Sequence, residues 1–196
     1  MELEDRIINH FHNSMDVSAN TIEQYTPLIA HASEILLHSL ASEKKILCVG
    51  NGGSAALAQH FSTLLLSRFR TERPGLPALC LSADGCTLSA VIEDINFSDV
   101  YSKQISALGQ PGDVLLMTTT HGKSSSLVQA IQAAHHREMI VILLNGGDGG
   151  DVTALLRPDE VEICIPSNDS ILIHNTQLLV LHCLCDLIDY QLFGAP

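Results

Sequence analysis

Residues 45–69 read KILCVGNGGSAALAQHFSTLLLSRF, and this stretch decides the fold. Ile46–Val49 is a short apolar run that suits a buried strand. Gly50-Asn51-Gly52-Gly53-Ser54 breaks the run, and from Ala55 onward the apolar spacing is helical. A glycine-rich turn between a strand and a helix N-terminus leaves backbone N–H groups unpaired and adds the positive end of the helix dipole, so it suits an anion. Glycine lets the backbone approach a phosphate closely, and Ser54 can cap the helix or offer its hydroxyl. The spacing fits neither the P-loop, since no Gly-Lys-Ser/Thr follows, nor the dinucleotide GxGxxG. A turn that needs glycine for geometry alone stays open as the alternative.

Working outward, apolar runs recur at Ala78–Leu81, Val114–Met117, Ile140–Leu144 and Val161–Ile165. Helical patterns separate them at Ala55–Phe69, Cys86–Ile92, Ser98–Leu108, Ser125–His136 and Asp151–Leu155. This alternation predicts an α/β fold, a doubly wound five-stranded parallel sheet in a three-layer α/β/α sandwich. Two helices are expected over residues 2–40, with a break or a helix start near Pro27. A long helix is expected from Ser170 to about Leu192. With no repeat or linker in view, residues 1–196 read as one domain, 1–40 serving oligomerisation and 41–196 forming the sandwich. The oligomer follows from apolar residues in excess of what one sheet face needs.

Composition narrows the function. The chain has 196 residues, 46% of them hydrophobic, and no Trp, so aliphatic packing must dominate. A net charge of -12 argues against a nucleic-acid-binding face, and the only local basic cluster is Arg68, Arg70 and Arg73. The N-terminus has no secretory character, and no apolar run is expected to reach the length of a membrane span, which suggests a cytoplasmic protein. The six cysteines include no CxxC pair and read as buried free thiols.

In such sheets ligands bind beyond the carboxyl ends of the strands. There the loop TTTHGKS, residues 118–124, offers hydroxyls, a glycine and a helix start, a second anion nest with helix capping as its alternative. The loop NGGDGG, residues 145–150, has no hydroxyl and reads as a flexible turn.

These loops carry a resemblance. GNGGSA, the Thr/Ser-Gly-x-Ser loop and NGGDGG, with RFRTERPGLPAL, YSKQISALGQPGDVLL, AIQAAHHREM and HCLCDLIDYQLF, resemble the phosphoheptose isomerase group of the sugar isomerase (SIS) fold over nearly the whole chain. That group holds sedoheptulose 7-phosphate isomerases, which serve ADP-heptose and lipopolysaccharide core synthesis, and proteins that associate with the DnaA replication initiator. The resemblance implies a homotetramer with ligand sites between subunits. It also implies sugar-phosphate binding by Asn51, Gly52, Gly53, Ser54, Thr119, Thr120, His121 and Ser124.

The pattern breaks at the chemistry. The resembled isomerases place a glutamate four residues after the histidine of the first helix. Here the histidine is His60 and the glutamate position is Leu64, on the same helix face. An aldose–ketose isomerisation moves a proton between adjacent carbons through an enediol and needs a base near neutral pKa, which leucine is not. His182 matches the catalytic histidine, His174 stands where the group has a glutamine, and Leu172 replaces an arginine. His121 replaces a serine and Lys123 an asparagine. The initiator-associating members also lack the glutamate and carry a large basic residue at the position of His121.

His60, His174 and His182 are candidate zinc ligands, although eight residues along one helix separate the last two by about 12 Å. Leu192 and Phe193 are candidate partner contacts. The expectation is a non-catalytic tetrameric phosphosugar-binding regulator that binds a DnaA-type initiator. The alternative is a sedoheptulose 7-phosphate isomerase using His182, with Glu93 or Asp94 replacing the lost acid. His121 either strengthens phosphate binding by charge or blocks the pocket by bulk, and both stay open.

Overall fold

Five short strands pair in parallel in the order β2-β1-β3-β4-β5. They are β1 (Ile46–Val49), β2 (Ala78–Cys80), β3 (Val114–Thr118), β4 (Ile140–Gly146) and β5 (Val161–Ile165). The structure is a computed structural model and describes residues 2–194. Every residue of β1 and β3 is buried, which is why they read as unbroken apolar runs rather than as an alternation. The pleat still divides them. Ile46, Cys48, Val114 and Leu116 enter one core with helices α1 (Leu3–Ala41), α2 (Gly53–Leu66) and α7 (Ser170–Phe193). Leu47, Val49, Leu115 and Met117 enter the other with α4 (Val100–Leu108) and α5 (Ser125–His136). The remaining helices are α3 (Gly85–Asp94) and the short α6 (Gly150–Thr153).

The expected break at Pro27 is corrected: α1 is one helix of 39 residues with Pro27 inside it. An interior proline removes one hydrogen bond and costs about 3 kcal/mol. Pro27 and Glu23, four residues back, both stand on the exposed side, where water reaches the freed carbonyl. On the other side Ile29, Ala32, Leu36 and Leu40 are buried in the core, and this packing holds the helix straight through. Residues 2–13 are instead exposed throughout. Leu3, Ile7, Ile8, Phe11 and Met15 form a helical stripe in which every member is more than half exposed.

Two further expectations are revised. Ser170–Phe193 is long and apolar enough to cross a membrane by length and composition, although it lies here against α1, α2 and the sheet. Of the six free cysteines only Cys48, Cys80 and Cys185 are buried, while Cys86 and Cys183 are exposed. At the chain's end Leu192 packs against the core and Phe193 is exposed.

A buried ion pair ties α2 to α7. Arg73 Nε donates to Asp189 Oδ1 at 2.6 Å, and its other nitrogens donate to the carbonyls of Leu64, Leu65 and Pro74. The guanidinium thereby adds a donor to two carbonyls of the last turn of α2, those of Leu64 and Leu65. Removing one member of such a pair strands the other, so Arg73→Met is expected to destabilise the fold by about 3 kcal/mol. Urea unfolding of Arg73→Met and of Arg73→Met/Asp189→Leu checks this, with partial recovery expected in the double variant.

Candidate phosphosugar site and the histidine pair

Strand register sets the site. Val49 pairs with Met117, so the loops that leave β1 and β3 emerge side by side. Gly50 must be glycine, because a Cβ there would stand 2.7 Å from the Ser54 carbonyl and from Thr118 Oγ1. Thr118 Oγ1 donates to that same Ser54 carbonyl at 2.8 Å, fastening β3 to the first turn of α2. Gly52 takes φ +56, where a side chain would be strained, and α2 begins directly after it at Gly53.

Asn51 joins the two loops. Its Nδ2 donates to Ser124 Oγ and Ser126 Oγ, each at 3.0 Å, and its Oδ1 lies 2.9 Å from the Tyr101 hydroxyl. That hydroxyl also reaches the Gly50 carbonyl at 2.6 Å. Burial pushes the Tyr101 phenol above its ordinary pKa, so it stays protonated and able to donate. Sequence reasoning missed Tyr101 and Ser126, because an aromatic 50 residues from a loop leaves no local signal.

Asn51, Ser54, Thr119, Thr120, His121 and Ser124 line one cavity of about 380 Å³, and Gly52 and Gly53 form the adjoining start of α2. The eight residues expected to bind a phosphosugar therefore come together. Phe97 completes the wall from a 3-10 turn, Phe97–Asp99, and was not foreseen. Apart from His121, the polar side chains lining this wall are uncharged amides and hydroxyls. The nearby cation is engaged elsewhere, as Lys123 Nζ lies 3.0 Å from Asp148 Oδ2 and holds that carboxyl below its ordinary pKa.

The reading of residues 145–150 as a flexible turn is corrected. Asn145 is fully buried and its Nδ2 donates to the Gly149 carbonyl. Val152 N–H donates to the Gly122 carbonyl at 3.1 Å. Gly149 and Gly150 lie so close to His121 and Gly122 that a Cβ on Gly122 or Gly150 would overlap the facing backbone. The glycines allow one loop to press main chain to main chain against the other.

The three candidate metal ligands divide into two places. His174 Nε2 lies 3.0 Å from Ser54 Oγ, and its ring fills the space over Gly53. His60 Nε2 and His182 Nε2 face each other at 3.0 Å, with the rings edge to face. The expected zinc triad is therefore corrected for the single chain. Helix α7 is continuous from Ser170 to Phe193, so His174 and His182 stand about 12 Å apart along it. Among the described residues no group of three His, Cys, Asp or Glu side chains could hold a metal. The residues of one chain do not fit zinc.

His182 lines a second cavity of about 470 Å³ with Phe69, Arg70, Leu179 and Asp186, apart from the loop cavity. Leu64 is half-buried and packs against the core. Among the described residues the histidine–carboxylate pairs are His31–Glu34 and His135–Glu160; Asp186 lines the His182 cavity but pairs with Arg70 at 3.1 Å, and no carboxylate pairs with His60 or His182. Glu93 and Asp94 are exposed at the end of α3. Two nitrogens at 3.0 Å share one proton, because a pair with both facing nitrogens protonated would repel.

Burial lowers the pKa of His174. Burial, then the charges of His60 and Arg70, lowers that of His182. A depressed histidine pKa means that the unfolded chain binds the proton more readily. The associated stability is complete above the ordinary value of 6.5 and is lost as pH falls through the lowered values. The thermal midpoint is expected to drop between about pH 7.5 and about pH 5, and His182→Gln is expected to shrink that drop. Scanning calorimetry of both proteins across this range checks it.

Comparison with known proteins agrees with this fold. A family model described as SIS domain matches residues 9–146. A phosphoheptose isomerase of Chromohalobacter salexigens is 50% identical over 195 residues, covering 100% of this chain and 99% of that protein. The solved phosphoheptose isomerase of Francisella tularensis superposes with a TM-score of 0.93 at 39% identity, covering 96% of this chain and 99% of that one. The one from Neisseria gonorrhoeae gives 0.91 at 37% identity with the same coverage.

Proposed function

Because the chain belongs to the SIS-domain phosphoheptose isomerase family, we propose that it binds a heptose phosphate such as sedoheptulose 7-phosphate and interconverts its ketose and aldose forms. The observation that carries this reading is the cavity itself, where the start of α2 and the uncharged hydroxyls of Ser54, Thr120 and Ser124 converge. Such donors suit a phosphate.

His182 is the proton carrier in this reading. Its depressed pKa keeps the basic form populated near neutrality, as proton abstraction requires. It takes the proton from C1 of the ketose, leaving an enediol, and returns it to C2. The C1 hydroxyl loses its proton as O2 gains one. His60 supports His182 by taking part of the charge through the shared proton. The loop cavity and the histidine pair occupy separate cavities of one chain, which supports a site shared between subunits. The bare apolar stripe of α1 supports assembly, and a homotetramer is the form proposed.

Leu64 favours a second reading: the same cradle and assembly without turnover, in a regulator whose partner is a DnaA-type initiator. The names of the relatives back the isomerase over this regulator.

Steady-state assay with sedoheptulose 7-phosphate is expected to give turnover that falls at least about 100-fold in His182→Ala, with KM little changed. Absence of turnover in the unaltered protein would overturn the isomerase and leave the regulator, to be tested by pull-down with the cognate initiator.

A further inference from the structure

His121 lines the loop cavity and replaces a small residue of the resembled pattern, and the proton-transfer scheme does not use it. The Lys123 backbone N–H donates to His121 Nδ1 at 3.1 Å. A ring nitrogen that accepts through its lone pair carries no proton, so the proton of the neutral imidazole sits on Nε2. Nδ1 is thereby spent within the loop, and the Nε2–H is the polar atom left to meet a ligand.

The main chain behind the ring is fixed. Gly122 holds φ +59, its N–H donates to Thr119 Oγ1 at 3.2 Å, and Gly150 packs onto the His121 carbonyl. The ring therefore sits on a braced loop, and the cavity keeps its volume of about 380 Å³ with the imidazole in place. The charge nearby belongs to Lys123, which Asp148 draws to the β4–α6 loop.

We propose that His121 is a ligand-recognising residue that donates a neutral hydrogen bond from Nε2–H to an oxygen of the bound phosphate, so that the site selects its anion without a cation. This deepens the sugar-phosphate reading given above and rests on it. It departs from both roles left open by the sequence, since it assigns the ring a hydrogen-bond donor rather than a charge or a block.

Two substitutions divide the ring's functions. Asn places an acceptor where Nδ1 stood and no donor where Nε2 stood. Gln places an amide N–H near the former Nε2. His121 is exposed, so neither change touches the core. Isothermal titration of the full chain at about pH 8, with sedoheptulose 7-phosphate and then inorganic phosphate, provides the test.

His121→Asn is expected to weaken binding about tenfold, and His121→Gln to stay within about threefold of the unaltered protein. Lys123→Met is expected to change affinity less than about twofold. Unchanged or tighter binding by His121→Asn, equal losses in Asn and Gln, or a large loss in Lys123→Met would overturn the proposal. If the unaltered protein takes inorganic phosphate with the same pattern of variants but not sedoheptulose 7-phosphate, the sugar reading fails and the role of His121 stands. If it takes neither, both fall.

Discussion

The amide of Asn51 is the contact on which the site depends. A parallel sheet delivers two loops to the same edge but leaves their separation free. Asn51 closes that freedom with a donor aimed at Ser124 and Ser126 and an acceptor facing the Tyr101 hydroxyl. The two loops are thus held at one distance, and among the described residues no ion pair joins them. This suits a pocket whose ligand supplies the charge, because no wall residue must first be released from a counter-ion.

Much of this was legible in the sequence. The five strands were readable because a sheet covered on both faces writes itself as short apolar runs, and the cradle because glycine and hydroxyl residues follow two of those runs directly. What stayed hidden has a common physical character. Pro27 argues locally for a break, yet the burial of Ile29, Ala32, Leu36 and Leu40 against a distant helix overrides it. The loop at 145–150 looked loose because glycine gives freedom to an isolated turn. Its meaning emerges only when another loop is laid against it. The meeting of His60 with His182 joins helices 122 residues apart, and spacing along either helix does not encode it.

Leu64, where the resembled pattern has an acid, shapes the surroundings of the histidines. Leucine adds apolar contact to the core, while its carbonyl accepts from Arg73 as any residue's would. The electrostatic cost falls on His182, which lacks an anion to favour its protonated form and lies beside Arg70. A carboxylate in that place would raise the proton affinity that the present surroundings depress. The substitution thus acts on the histidine's resting state as well as on the inventory of proton carriers.

The seam between residues 121–122 and 149–150 has a consequence for how this protein can vary. Where two backbones touch with no side chain between them, neither can thicken alone. A methyl group gained on one side needs retreat on the other, although the two are encoded more than 25 codons apart. Diversifying the loop after β3 by itself would therefore strain the seam before it explored new ligands. Libraries meant to change what this cavity accepts should mutate both stretches together, treating them as one folded unit written in two places.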